Sequence, residues 1–173
     1  LSGVAGNVER LDKDNLQQQL KGIADILDTA QKDLRILLLH LRPTELENRT
    51  LVEGMNVLIK ELTDKSDLTV QFKHEVVGLP KQIEEHIFRI IQEIINNTLR
   101  HAQASRLDIY LFQTPNRLKL KVSDDGIGFD PASLADMSYG LKNIEDRVHD
   151  MACTLKILTA PQKGVSIEIS VPL

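Results

Sequence analysis

The chain has little with which to staple itself together. One cysteine, Cys153, in 173 residues rules out an internal disulfide and suits a reducing compartment. Tryptophan is absent and aromatics make up 3% of the residues, so the core has to be aliphatic. A large excess of one charge sign is missing too. Lys and Arg number 21 against 25 Asp and Glu, for a net charge of −4. Without a concentrated basic tract, nucleic acid is excluded as the main partner, because phosphate neutralisation needs clustered Lys and Arg. No run approaches the ~18 apolar residues of a membrane helix. Internal repeats, low-complexity tracts and a Walker A loop are also missing. What remains is ordinary for a globular protein, with 42% hydrophobic and 27% charged residues. The length suits one compact domain plus an appendage. The chain starts mid-pattern at Leu1 without an initiator methionine, which reads as a piece of something longer.

Two regimes divide it. Leu16, Leu20, Ile23, Leu27, Ala30, Leu34, Leu37 and Leu41 alternate spacings of four and three, a heptad seam. Asp14 or Asn15 can cap its start and Pro43 stops it. One such helix cannot bury its stripe alone and predicts partner helices. Beyond it, Leu51, Met55, Leu58 and Leu62 predict a helix over Leu51–Asp64. Leu68–Val76 switches to a period of two and predicts a strand. Ile83, Ile87, Ile90, Ile91, Ile94, Ile95 and Leu99 stripe a second helix. Arg106–Phe112 and Arg117–Ser123 predict a hairpin across Thr114-Pro115-Asn116. Leu141, Ile144, Val148 and Met151 mark a short helix. Leu155–Leu158 and Val165–Val171 are two further strands. Helices followed by a largely antiparallel sheet predict an α+β, two-layer sandwich.

Polar residues beside the isoleucine stripe carry the functional signal. Glu93, Asn97 and His101 stand at i, i+4 and i+8. At ~100° per residue they form one polar line along the helix. Carboxylate, amide and imidazole at the edge of a core must find partners. Further on, the strand Leu118–Leu120–Val122 is broken by Asp124-x-Gly126-x-Gly128. Two glycines allow positive φ or close approach, and Asp124 places an acceptor there. Such a loop is not an EF-hand, since the alternating acids are missing, nor a dinucleotide fingerprint, since Pro131 stands where a third glycine would fall.

Glu93-x-x-x-Asn97-x-x-x-His101 followed by Asp124-x-Gly126-x-Gly128 resembles the N-box and first glycine box of the GHKL ATP-binding superfamily. Tyr139-Gly140-Leu141 is similar to its second glycine box, and Lys163-Gly164-Val165 to the last. LLLHLRPTEL and the short span between glycine boxes resemble sensor histidine kinases of the NarL/DesK subgroup, nearest to cell-envelope stress sensors of the LiaS/VraS kind. Two positions depart from the pattern: Ser138 replaces a glycine and Val165 a threonine.

The resemblance implies a Bergerat-type ATP-binding domain over 47–173, preceded at 1–46 by the second helix of a dimerisation and phosphotransfer hairpin. It implies ATP and Mg²⁺ as ligands, with Asn97 holding the metal. It implies that Asp124 accepts from the adenine amino group, that Gly126, Gly128 and Gly164 pass close to the nucleotide, and that Gly140 and Leu141 begin a helix whose amides face phosphate. Arg100 and His101 are implied donors to phosphate or ribose, and Glu93 is a candidate base. Asn96 matches no motif position and reads as solvated or packed. His40 lacks the acidic neighbour of a phosphoacceptor, so the acceptor is expected on a helix preceding Leu1. His74, His86 and His149 fit no metal or triad spacing and read as surface or capping residues. Implied partners are a response regulator and a second copy through the helical hairpin. The implied setting is the cytoplasmic part of a membrane-anchored bacterial sensor. Two alternatives stay open: another GHKL ATPase or serine kinase, and a non-catalytic dimerisation module.

Overall fold

A computed structural model describes residues 15–24, 26–27, 46, 49–64, 66–130 and 139–173. The chain divides into two compact units, Leu1–Pro43 and Thr44–Leu173. In the first, residues 15–24 are helical. Leu16, Leu20, Ile23 and Leu27 of the heptad seam are each more than half exposed. The rest of that seam, with His40 and Pro43, lies outside the described residues, as does Ser138.

In the second unit, helix α1 spans Leu51–Thr63 and strand β1 spans Thr69–Glu75. Helix α2 covers Lys81–Asn97, and a π-helical turn over Thr98–Ala102 follows it directly. Then come β2 (Arg106–Thr114), β3 (Arg117–Asp124), α3 (Tyr139–Asp150), β4 (Thr154–Thr159) and β5 (Val165–Pro172). The sheet order is β1-β2-β3-β5-β4. Three pairings are antiparallel, among them the expected β2–β3 hairpin, in line with a largely antiparallel sheet, but β1 joins β2 in parallel. A parallel neighbour needs a crossover, and α2 provides it.

Aliphatic residues fill the space between helices and sheet. Ile87, Ile90, Ile91, Ile94 and Ile95 of α2 are buried, as are Leu107, Ile109 and Leu111 of β2 and Leu118, Leu120 and Val122 of β3. Phe88 is the aromatic among these buried side chains. A capping box at Thr50 and Glu53 starts α1, satisfying end amides that have no helical acceptor. Helices α1 and α2 are tied at that end. The Leu51 amide donates to Glu84 (3.1 Å), and Lys81 Nζ donates to the carbonyls of Leu46 and Arg49. These ties and the isoleucine face fix α2 against the sheet, which in turn fixes the direction of its polar side.

Candidate functional site

Glu93 and Asn97 lie half-buried on α2, one turn apart, on the side away from the isoleucines. The regular helix ends at Asn97, so the polar line does not continue to His101 with α-helical spacing. The wider π turn carries Arg100 and His101, both exposed, and closes with Gln103 in the left-handed region at φ 51°. Thr98, buried at the junction, donates its hydroxyl to the Ile94 carbonyl (3.0 Å). Such π turns often occur at functional sites.

The start of α3 sits directly against the polar side of α2. A Cβ at Gly140 would collide with Glu93 Oε1 and come within 2.8 Å of Asn97 Oδ1. With Glu93 and Asn97 as they stand only hydrogen fits there, and any larger group has to displace those two side-chain ends, so the second glycine box is pressed onto the N-box. Leu141, in the first turn of α3, is half-buried.

The other cluster is built on Asp124 at the end of β3. Its Oδ1 accepts from the amides of Gly126 (2.9 Å) and Val165 (3.3 Å). Burial raises the Asp124 carboxyl above its ordinary range; those two amides pull it back, and the Asp125 charge adds to the rise. With Oδ1 engaged, Oδ2 remains to accept from a ligand. Gly164 has φ +66°, and a side chain there would strike the Asp124 carbonyl. Gly128 is also left-handed, and Gly126 lies against Ala102. The Ile127 amide donates to the Ala102 carbonyl (2.8 Å), and the Gln162 amide to the Ile127 carbonyl (2.6 Å). The π turn, first glycine loop and last glycine loop are thereby stitched in series.

Residues 82–173 match the family of histidine kinase-, DNA gyrase B-, and HSP90-like ATPases. The chain belongs to that family. It is 39% identical over 158 residues to the sensor protein VraS of Staphylococcus saprophyticus, covering 91% of this chain and 46% of that protein. VraS of Staphylococcus aureus strain COL is 37% identical over the same shares. The chain thus spans about half the length of the curated relatives it matches. Among solved structures, the histidine kinase domain of the Erythrobacter litoralis EL346 blue-light activated kinase superposes with TM-score 0.58 at 19% identity, over 71% of this chain and 59% of that one. The Acinetobacter baumannii histidine kinase AdeS gives TM-score 0.59 at 14% identity, over 91% and 83%. These structures share the GHKL fold.

Membership in an ATPase family implies ATP as ligand, and the residues present fit it. Asn97 Nδ2 is buried without a partner, as are both amide atoms of Asn96. The Asn97 nitrogen, an orphaned donor beside the start of α3, suits an anionic group. Among the described residues no three His, Cys, Asp or Glu side chains gather as a metal cage. A magnesium ion does not need one, since it takes few protein ligands and completes its shell with water and phosphate oxygens.

Sequence reasoning passed over two contributors, Asp125 and Thr159. Asp125 accepts from the amides of Ser105 (2.8 Å) and Arg106 (2.9 Å) and from the Ser105 hydroxyl (2.6 Å). The Ser105 side chain and these amides hold its carboxyl below the ordinary range. The doubled Asp in the motif was the available signal. Thr159 donates to the Gly164 carbonyl (2.9 Å) and accepts from the Phe129 amide (3.1 Å). Asn96, which the sequence left as solvated or packed, is packed, at 2% exposure.

Proposed function

We propose that this chain is the ATP-binding catalytic part of a two-component sensor histidine kinase. The observation carrying this reading is the approach of Gly140 to Glu93 and Asn97, which sets a helix N-terminus beside a carboxylate and an amide. In this reading Asp124 Oδ2 accepts from the adenine amino group. Gly126, Gly128 and Gly164 let the backbone lie along the nucleotide. The first amides of α3, from Gly140 and Leu141, face the phosphates, and Arg100 and His101 supply exposed donors from the π turn. The Asn97 amide oxygen is the protein ligand of Mg²⁺, a neutral group that suffices because phosphate brings the charge. When bound, the ion neutralises phosphate charge. Phosphoryl transfer leaves little covalent chemistry to the protein, so positioning dominates. Glu93 stands near enough to this corner to serve as a base.

The parent protein would pass the γ-phosphoryl group to a histidine and then to a response regulator. Its second copy would pair through the seam of Leu16, Leu20, Ile23 and Leu27, whose exposure supports a helical partner. The VraS likeness supports a membrane-anchored parent and a role in cell-envelope stress. Calorimetric titration with ADP and a non-hydrolysable ATP analogue, with and without Mg²⁺, tests the domain reading. Saturable binding strengthened by Mg²⁺ is expected, and absence of heat with either nucleotide would reject it. Incubation with labelled ATP tests the reading of His40: no acid-labile phosphate should form on this chain, and label lost in His40→Gln would overturn that reading.

A further inference from the structure

The sheet has a second face, turned away from the helices, and its chemistry differs from that of the chain as a whole. Side chains alternate along each strand, so burial of Ile109, Leu111, Leu120 and Ile169 on one side sends their neighbours to the other. Lys73, Tyr110, Lys121, Glu168 and Lys156 form one row across all five strands, by register. Glu75, Phe112, Lys119, Ser170 and Thr154 form the next. Tyr110 and Phe112 stack with centroids 6.3 Å apart, and Lys73 Nζ lies 5.6 Å from the Tyr110 ring centre. Phe112 is 37% exposed and Leu158, at the far edge, 49%.

The charge balance is inverted there. Lys73, Arg106, Arg117, Lys119, Lys121 and Lys156 oppose Glu75, Asp108 and Glu168, in a chain whose net charge is −4. Two of those carboxylates are already paired, Asp108 with Arg106 and Glu168 with Lys121, each at 2.9 Å. Lys73, Lys119 and Lys156 remain exposed as surplus positive charge. Between the aromatic pair and the Thr154–Ser170 side runs a groove of about 670 Å³, with Lys119, Lys121 and Lys156 among its lining.

We propose that this groove docks an acidic polypeptide segment carrying an apolar anchor. The surplus lysines attract carboxylates, and the exposed Phe112 ring beside Tyr110 offers an apolar seat of the kind that anchors binding. A concave groove fits a chain better than a planar lipid surface. The site is separate from the nucleotide corner and does not rest on the function proposed for it.

The test uses the isotope-labelled protein and a short synthetic peptide of Glu and Asp around a central Phe-Leu pair, followed by NMR shift changes. Controls are the same peptide with Lys for each acid, and vesicles of phosphatidylglycerol. Shifts should concentrate at Tyr110, Phe112, Lys119 and Lys156. The double variant Lys119→Glu, Lys156→Glu should weaken the acidic peptide at least about tenfold by reversing two charge contacts. Both lysines are exposed and lie away from the glycine boxes, so ADP affinity should stay unchanged, and the melting temperature should fall by at most about 4 °C, the cost of a carboxylate set opposite Glu168. Shifts elsewhere, equal binding of the lysine peptide, or binding of vesicles without the peptide would each overturn the proposal.

Discussion

The two halves of the proposed nucleotide corner are made differently. The glycine-loop half is bonded to itself: Asp124, Gly126, Val165, Thr159, Ile127 and Ala102 are joined by backbone and side-chain hydrogen bonds. The α2 half leaves the Asn97 amide nitrogen buried and unpartnered. Preorganised groups bind without reorganising, whereas orphaned groups gain most from a partner. The contrast assigns shape to the first half and ligand-dependent order to the second. Substitutions should therefore separate stability from binding according to the half they touch.

The largest effect is expected at Gly164. Gly164→Val forces a β-branched residue to φ +66° and into the Asp124 carbonyl. Backbone strain of this kind costs ~1–3 kcal/mol before any clash, or roughly 3–12 °C of Tm in a domain this size. Nucleotide binding should vanish with it. Gly140→Ala should behave oppositely. Its new Cβ meets side-chain ends of Glu93 and Asn97, which can move, and Ala favours a helix over Gly by up to about 1 kcal/mol. Thermal melting should hold while Mg²⁺-ATP affinity falls. A Tm loss at Gly140 as large as at Gly164 would erase the contrast.

How much of this was legible in advance follows from sequence distance. The isoleucine stripe and the polar positions of α2 are set by neighbours within two turns, so spacing revealed them. Asp124-x-Gly126-x-Gly128 was legible because glycine and carboxylate types carry the signal locally. The role of Asp125 was not, since its donors sit 19 and 20 residues away. The π turn was also invisible, because a backbone widening of one residue leaves composition unchanged. The parallel β1–β2 pair depends on a crossover, and strand periodicity does not encode direction.

Next in size is Asp124→Asn. It should weaken ADP and ATP by ~1–3 kcal/mol, about 5- to 150-fold, since a buried acceptor is exchanged for a group that can mispair. Calorimetry reads this directly, and equal heats for the two proteins would remove Asp124 from the site. Asn97→Ala follows. It should abolish most of the Mg²⁺ enhancement of ATP affinity while leaving adenosine binding unchanged. Because Asn97 Nδ2 has no partner, its removal should not lower Tm. A marked fall would place Asn97 among the structural residues instead.

The smallest effect is a matter of pH, and it turns on two adjacent carboxylates shifted in opposite directions. Asp124 lies above its ordinary value of 3.8 because burial disfavours its charged form. Only the charged form accepts from an amino group through either oxygen, so adenosine affinity should fall as pH drops through that raised value. Stability should not fall with it, because protonating Asp124 relieves the burial of charge in the folded state. Asp125 lies below 3.8, held there by the Ser105 side chain and the Ser105 and Arg106 amides. Its contribution is complete above the unfolded value and is lost only as pH falls through the lowered folded one. Acidification from about pH 7 to 4 should therefore weaken adenosine a few-fold before the fold loosens. Adenosine is the ligand to use, since it has no phosphate to titrate. In Asp124→Asn the slope of affinity with pH should flatten, and in Asp125→Asn it should persist while Tm drops at neutral pH. If affinity and Tm decline together in the unaltered protein, the two carboxylates do not divide binding from structure in this way.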